Sequence, residues 1–309
     1  MGKVCVGVDV GGTTVKLGLF EVDGQLMDKW EIPTRTEDGA KHILPDIAES
    51  VKAKLAEKDI DLSEVVGAGM GIPGPVLANG MVTQCVNLGW KEKNAQKELS
   101  ELLGVPVKSG NDANVAALGE MWQGGGKGFH DIVMVTLGTG VGGGVIIDEK
   151  IIAGRHGLGG EIGHIQVDPL GAICSCGNRG CLDTVVAENR LVQLLSVTHG
   201  NMTLDDLVSF ANEGDPGCRR IIADTAVRIG QVAADLCISV DPEVIVLGGK
   251  LAMTGDVFIQ PFNEALQRML FPDAVAPIDV LVSSHPNDNC ALGGALCAIE
   301  FSVRNDVSQ

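Results

Sequence analysis

The sequence predicts an α/β protein built from two related halves that face each other across a cleft. Three observations carry this. The chain opens with a strand, a Gly/Thr turn, a second strand, a tight turn and a third strand. The same meander returns around Gly138, and strands alternate with helices after each copy. A duplicated supersecondary unit implies a duplicated domain, and the junction of two such domains is a natural ligand cleft.

Taken in order, residues 3–9 are a β-branched run that stops at Asp9-Val10-Gly11-Gly12-Thr13-Thr14. Residues 15–20 form the second strand, and Asp23-Gly24 turns the chain into the third, 25–32. Ile43, Ile47, Val51 and Leu55 recur at helical spacing within a helix over roughly 40–58. Strand 65–71 runs into Ile72-Pro73-Gly74-Pro75. A loop carrying Asn87-Leu88-Gly89-Trp90 then leads to a helix at 95–103. Strand 105–109 ends at Asn111-Asp112-Ala113-Asn114. In the second copy, strand 132–137 stops at the glycine-rich turn 138–144, and 145–148 and 150–153 are its second and third strands. A long helix at 218–238, strand 244–247 ending at Gly248-Gly249, a further helix, strand 278–283 and a last helix at 289–300 complete the chain.

Composition narrows the function classes. A net charge of −17 argues against wrapping nucleic acid or an anionic membrane surface. Aromatics are only 3% with no Tyr, so base-stacking platforms lack material. No apolar run reaches the ~18 residues of a membrane span, and the opening MGKVCVGVDVGG is not a signal peptide. The expected compartment is the cytoplasm, where the nine cysteines stay reduced. Cys5, Cys237 and Cys297 read as core residues, while Cys85, Cys218 and Cys290 have no visible task.

One stretch concentrates chemistry. GEIGHIQVDPLGAICSCGNRGCLD, from Gly160 to Asp183, places His164 ahead of Cys174, Cys176 and Cys181 in a loop rich in glycine. Cys₃His is the ligand set of a closed tetrahedral zinc site. The alternatives are loop cysteines that happen to lie close, or a disulfide with one thiol left over. Glu161, three residues before the histidine, adds a carboxylate aimed at the same pocket.

The glycine turns have a second reading besides hairpin geometry. Gly138-x-Gly140-x-x-Gly143 has the letters of a dinucleotide fingerprint, but a strand follows where that motif needs a helix. What remains is two tight turns with exposed backbone amides and the Thr13, Thr14 and Thr139 hydroxyls, which form anion-binding concavities. Asn111-Asp112 is either a helix cap or a reactive pair at a strand end. Asp9 is a metal-water ligand or a turn residue, and Lys16 a phosphate contact or a solvated charge.

Together DVGGTTVKLGLF, GMGIPGPV, NLGW, NDANVAALGE, LGTGVGGG, GEIGHI and CSCGNRGC resemble the ROK family of sugar kinases and repressors, most of all its glucokinase branch. The resemblance runs from Val4 to the final helix. It implies the two-domain actin-like, hexokinase (ribonuclease H-like) fold, with residues 1–111 plus 295–309 as the smaller domain and 112–294 as the larger. It further implies ATP-dependent phosphorylation of a hexose, foremost glucose, with Asp112 as general base. Gly71, Asn87, Asn111, Glu161, His164 and Asp183 would join Asp112 around the sugar. Asp9, Gly11, Gly12, Thr13, Thr14, Lys16, Gly138, Thr139, Gly140, Gly142, Gly143, Gly248, Gly249 and Gly293 would surround ATP with Mg²⁺. His164, Cys174, Cys176 and Cys181 would hold structural Zn²⁺, and a homodimer is the expected assembly. The alternatives are N-acetylmannosamine, mannose, allose or fructose as substrate, or a sugar-sensing regulator without turnover. Asp183 stands where the family's kinases usually carry Glu, one methylene longer.

Overall fold

The structure, a computed structural model, describes residues 2–271, 277–284, 290–291 and 293–296. Strands β1 (Val4–Val10), β2 (Thr14–Glu21) and β3 (Leu26–Pro33) make the opening antiparallel meander. A single turn, α1 (Glu37–Ala40), and helix α2 (Ile43–Glu57) lead to β4 (Val65–Ile72), which lies parallel to β1. A small hairpin, β5 (Met81–Cys85) and β6 (Trp90–Asn94), and helix α3 (Ala95–Leu103) precede β7 (Val107–Asn111), parallel to β4. The first sheet therefore runs β3-β2-β1-β4-β7. Helix α4 (Asp112–Gln123) begins at the residue after β7.

The second half repeats this plan. Strands β8 (Ile132–Leu137), β9 (Val141–Ile147) and β10 (Lys150–Ile151) are the meander. Helices α5 (Leu182–Val186), α6 (Glu188–His199), α7 (Leu204–Glu213) and α8 (Pro216–Val240) come next, then β11 (Val244–Gly249), α9 (Asp256–Met269) and β12 (Asp279–Val282). The sheet order is β10-β9-β8-β11-β12, with β11 parallel to both β8 and β12. Strand for strand this matches the first sheet, so the duplication read from the glycine turns is a duplication of fold.

Each half has its own core. Val6, Val8, Leu17, Ile47, Met70 and Ile72 fill the first, and Val133, Leu207, Ile229, Leu247, Phe258 and Phe262 the second. Strands β1 and β8 are covered on both faces, which is why they read as unbroken apolar runs and not as alternating ones. Cys85 and Cys218 are buried in these cores and pack there, and Cys290 is buried in a third cluster with Val115 and Met134. No helix among the described residues is long and apolar enough to cross a membrane.

Three expectations change. Residues 81–94 form a hairpin and not a plain loop: Val82 and Trp90 point into the first core and give the hairpin its buried side. Strand β9 begins at Val141, so Gly142, Gly143 and Gly144 are strand residues, and the turn is only Gly138–Gly140. Helices α6 and α7, not foreseen, cover the second sheet; Thr203 starts α7 with a reciprocal capping box to Asp206. Of the last helix, residues 290–291 and 293–296 are helical, while Asn289, Cys297 and the remainder to Glu300 lie outside the described residues.

Helix α4 is the element shared by both halves. It packs on β4 and β7 of the first sheet and on β8 and β9 of the second. The close approach is permitted by glycine: a Cβ on Gly142 would lie 2.9 Å from Ala113 Cβ, and one on Gly144 2.5 Å from Ala117 Cβ.

Candidate active site

The carboxyl ends of β1, β4 and β7 finish at one level, because Asp9 pairs with Gly71 and Gly71 with Gly110. That edge is where parallel strands present ligand-binding groups. Asn111 is the cap of α4: its Oδ1 accepts the Asn114 N–H at 3.1 Å, and its Nδ2 donates to the Gly74 carbonyl at 3.3 Å. Capping thus falls to Asn111, and Asp112 is the first helical residue, accepting the adjacent Ala113 N–H at 2.9 Å. A side chain on Gly71 would sit 2.3 Å from Cys290 Sγ and 3.3 Å from Asp112 Cα, so its absence is what lets these groups close up. Burial holds the Asp112 carboxyl above the ordinary carboxylate range, and the nearby Asp9 charge pushes it further. Asp9 is raised by burial too, against a hydrogen bond from Cys290 and the charge of Lys16, its partner across the β1–β2 pair.

On the other side of α4, Glu161 precedes a short 3₁₀ turn, Ile162–His164. Its Oε2 lies 3.9 Å from His164 Nε2. Burial raises the Glu161 pKa most, His164 lowers it, and Asp112 raises it, which puts the two carboxylates within each other's field. The opposite ring nitrogen, Nδ1, lies 3.5 Å from Cys174 Sγ, and Cys176 Sγ lies 3.7 Å from Cys181 Sγ. The ligand atoms of all four residues fall within 4.8 Å of one another. A tetrahedral zinc with ordinary bond lengths sets such edges at about 3.6–3.8 Å. The spacing fits that ion, and the three thiols are free. The loop can wrap so tightly because Gly177 and Gly180 adopt φ of 90° and 67°.

The two hairpin turns differ. The first closes on itself, Gly11 N–H to Thr14 carbonyl at 3.1 Å, and leaves Gly12 and Thr13 exposed, with Asn87 alongside Gly12. In the second, Gly138 N–H donates to the Gly140 carbonyl at 3.0 Å, and Gly138, Thr139 and Gly140 are exposed. Gly142 and Gly143 lie beyond the turn, pressed by Ala113 and by Ile162. Gly248 and Gly249 end β11 beside Thr136 and Leu137 of β8, next to that turn. Gly293 is packed against the backbone of α4, where a Cβ would lie 1.6 Å from the Val115 carbonyl oxygen. Asp183 reaches the second hairpin: its Oδ1 accepts the Val141 N–H at 2.8 Å.

A model of the ROK family matches residues 5–300. The chain belongs to the ROK family. It is 36% identical to a glucokinase of Halalkalibacterium halodurans over 94% of this chain and 93% of that one. Among solved structures it is similar to a ROK hexokinase of Thermus thermophilus, with TM-score 0.83 and 30% identity over 98% of this chain and 99% of that one. A ROK glucokinase of Streptomyces griseus in complex with glucose and AMPPNP gives TM-score 0.80 at 28% identity, covering 96% and 99% of the two chains. The two matched sheets joined through α4 are thus the actin-like fold of ROK sugar kinases.

Two residues of this ROK chain escaped sequence reasoning. Asn114, buried, donates Nδ2 to the Gly159 carbonyl at 3.4 Å and ties α4 to the loop that carries Glu161, while its Oδ1 has no partner. Glu120, fully buried at the other end of α4, accepts the Gly125 N–H at 2.7 Å and the Ser283 hydroxyl. The signal was present in NDANVAALGE: both side chains point inward on a helix whose neighbours on that stretch are small and apolar.

Proposed function

We propose that this chain transfers the γ-phosphoryl group of ATP, as its Mg²⁺ complex, to the 6-hydroxyl of glucose. The observation that carries this reading is the position of Asp112. It opens α4, the helix packed against both sheets, with Gly71 beside its Cα and Asp9 within its field. The sugar oxygen bonds to the γ-phosphorus as the bond from phosphorus to the β–γ bridging oxygen breaks, and the hydroxyl proton passes to Asp112. Burial raises the Asp112 pKa above the ordinary carboxylate range, which makes it a stronger base toward that proton. Glu161 and the Nε2 edge of His164 are the groups offered to the ring hydroxyls, with Asn111 shaping the wall beside Gly71. The exposed residues Gly12, Thr13, Thr139 and Gly140 would offer backbone amides to the phosphates, and Asp9 would hold a water of Mg²⁺.

His164, Cys174, Cys176 and Cys181 are the residues that would hold zinc. The ion would fix the loop and the imidazole orientation, leaving Nε2 for the sugar side. The reading also includes a cytoplasmic homodimer, checked by analytical ultracentrifugation. The deciding experiment is Asp112→Asn in a coupled ADP-release assay with glucose. Turnover is expected to fall at least ~10²-fold while glucose affinity changes little. Near-normal turnover would remove Asp112 from the chemistry.

A further inference from the structure

A second set of metal-binding side chains meets where the end of α6 approaches the start of α8, on elements that carry none of the groups assigned above. His199 is the last residue of α6, Asp215 caps α8, and Cys218 lies in the first turn of α8. One donor atom from each falls within 4.8 Å of the other two. Nε2 of His199 stands 3.5 Å from Asp215 Oδ2, while Asp215 Oδ1 accepts the Cys218 N–H at 2.7 Å. Cys218 is fully buried, whereas the His199 and Asp215 side chains are 24% and 33% exposed. The sulfur is thus the floor of the cluster, and the other two groups are its mouth.

The hydrogen bonds of the histidine point to a cation. Thr198 Oγ1 lies 2.7 Å from His199 Nδ1 and donates its own proton to the Leu195 carbonyl at 3.3 Å. The hydroxyl oxygen therefore accepts from Nδ1–H, and Nε2 of the neutral imidazole carries a lone pair. That lone pair faces a carboxylate oxygen, which can only accept. Two acceptors at that distance call for a positive charge between them. Phe210 stacks on the ring, with centroids 5.5 Å apart, and holds it in this orientation. Anchoring one ring nitrogen so that the other is aimed at the ion is how metal-binding histidines are held.

We propose that His199, Asp215 and Cys218 form a second site for a zinc-type divalent ion, which clamps the end of α6 to the start of α8. Imidazole nitrogen with thiolate sulfur selects such an ion over Mg²⁺ or Ca²⁺. On binding, the metal–sulfur bond forms as the S–H bond breaks and its proton leaves to solvent. One thiolate and one carboxylate then balance the charge of the ion. Burial first, and Asp215 second, push the Cys218 thiol up to about 11, so that proton is held firmly. With three protein ligands and a fourth position left to water, this site binds more weakly than the cysteine loop and fills after it. A proton on His199 is the competing occupant; it would satisfy Asp215 and leave the thiol without a task.

The test is titration of zinc, near neutral pH, into purified protein first passed over a mild chelating resin, with bound metal counted by mass spectrometry. Wild type is expected to reach about two zinc ions per chain, and His199→Gln and Cys218→Ser about one, the ion of the cysteine loop. The second equivalent should raise the melting temperature of wild type and leave that of His199→Gln unmoved. Cobalt(II) supplied as that equivalent should give a sulfur-to-metal charge-transfer absorption that Cys218→Ser lacks. Uptake by wild type that stops at about one ion overturns the proposal in favour of a His199–Asp215 ion pair. A second ion bound with wild-type affinity by either variant overturns it too, because the acidic surface would then be holding it elsewhere. His199 is partly exposed, so His199→Gln decides alone should Cys218→Ser fail to fold.

Discussion

Asp112 carries its carboxylate half-buried in the first turn of α4, within the field of Asp9 and Glu161, and the protein is less stable for it. Its folded-state pKa is raised, chiefly by burial. Between the unfolded and folded values the folded chain binds more protons, so stability is lost as pH rises through that window and stays lost at pH 7. Asp112→Asn should therefore melt at or above the wild-type temperature at pH 7, with the difference shrinking as pH falls toward the ordinary carboxylate pKa of ~4. Scanning calorimetry at several pH values checks this, and a marked drop in melting temperature at pH 7 would contradict it. In the same way the acid limb of kcat/KM should lie above the ordinary carboxylate range and move down in Asp9→Asn, since the Asp9 charge contributes to the shift. An unmoved limb would assign the titration to another group.

Helices and loops place these residues, and two can be tested as units. The loop from His164 to Cys181 is expected to carry about one zinc per chain, lost on Cys176→Ser together with the local fold. Elemental analysis by mass spectrometry decides, and a fully active protein without metal would end the idea. The helical residues 290–291 and 293–296 are held by glycine contacts on both sides. Cβ atoms on Gly7 and Gly69 would lie 1.8 and 1.7 Å from the Ala291 and Gly294 carbonyl oxygens, and Gly293 meets α4. Gly293→Ala pushes a methyl into backbone, which cannot swing aside, and should cost more than about 2 kcal/mol in urea unfolding. A loss under half that would show that the run can shift off α4.

At the scale of the molecule, two sheets of one topology meet through α4, and each bears an exposed glycine hairpin. With residues 1–111 plus 295–309 as one proposed domain and 112–294 as the other, ATP gripped by both hairpins requires the cleft to close. Small-angle scattering is expected to give a smaller radius of gyration with saturating glucose than without it. An unchanged radius at constant oligomeric state would speak against closure.

The sequence by itself determined the repeat, since a buried strand, a glycine turn and a second strand leave the same local pattern wherever they occur. It also determined the cysteine–histidine cluster, whose members lie within one short loop. Tertiary structure alone decided which glycines turn the chain and which make room. Gly142 and Gly143 read as turn residues, but α4 and Ile162, distant in sequence or on another loop, press on them in the folded chain. It also decided the partner of Asp183. Side-chain reach limits what an aspartate can touch, but only the packing of α5 against β9 brings the Val141 amide within that reach.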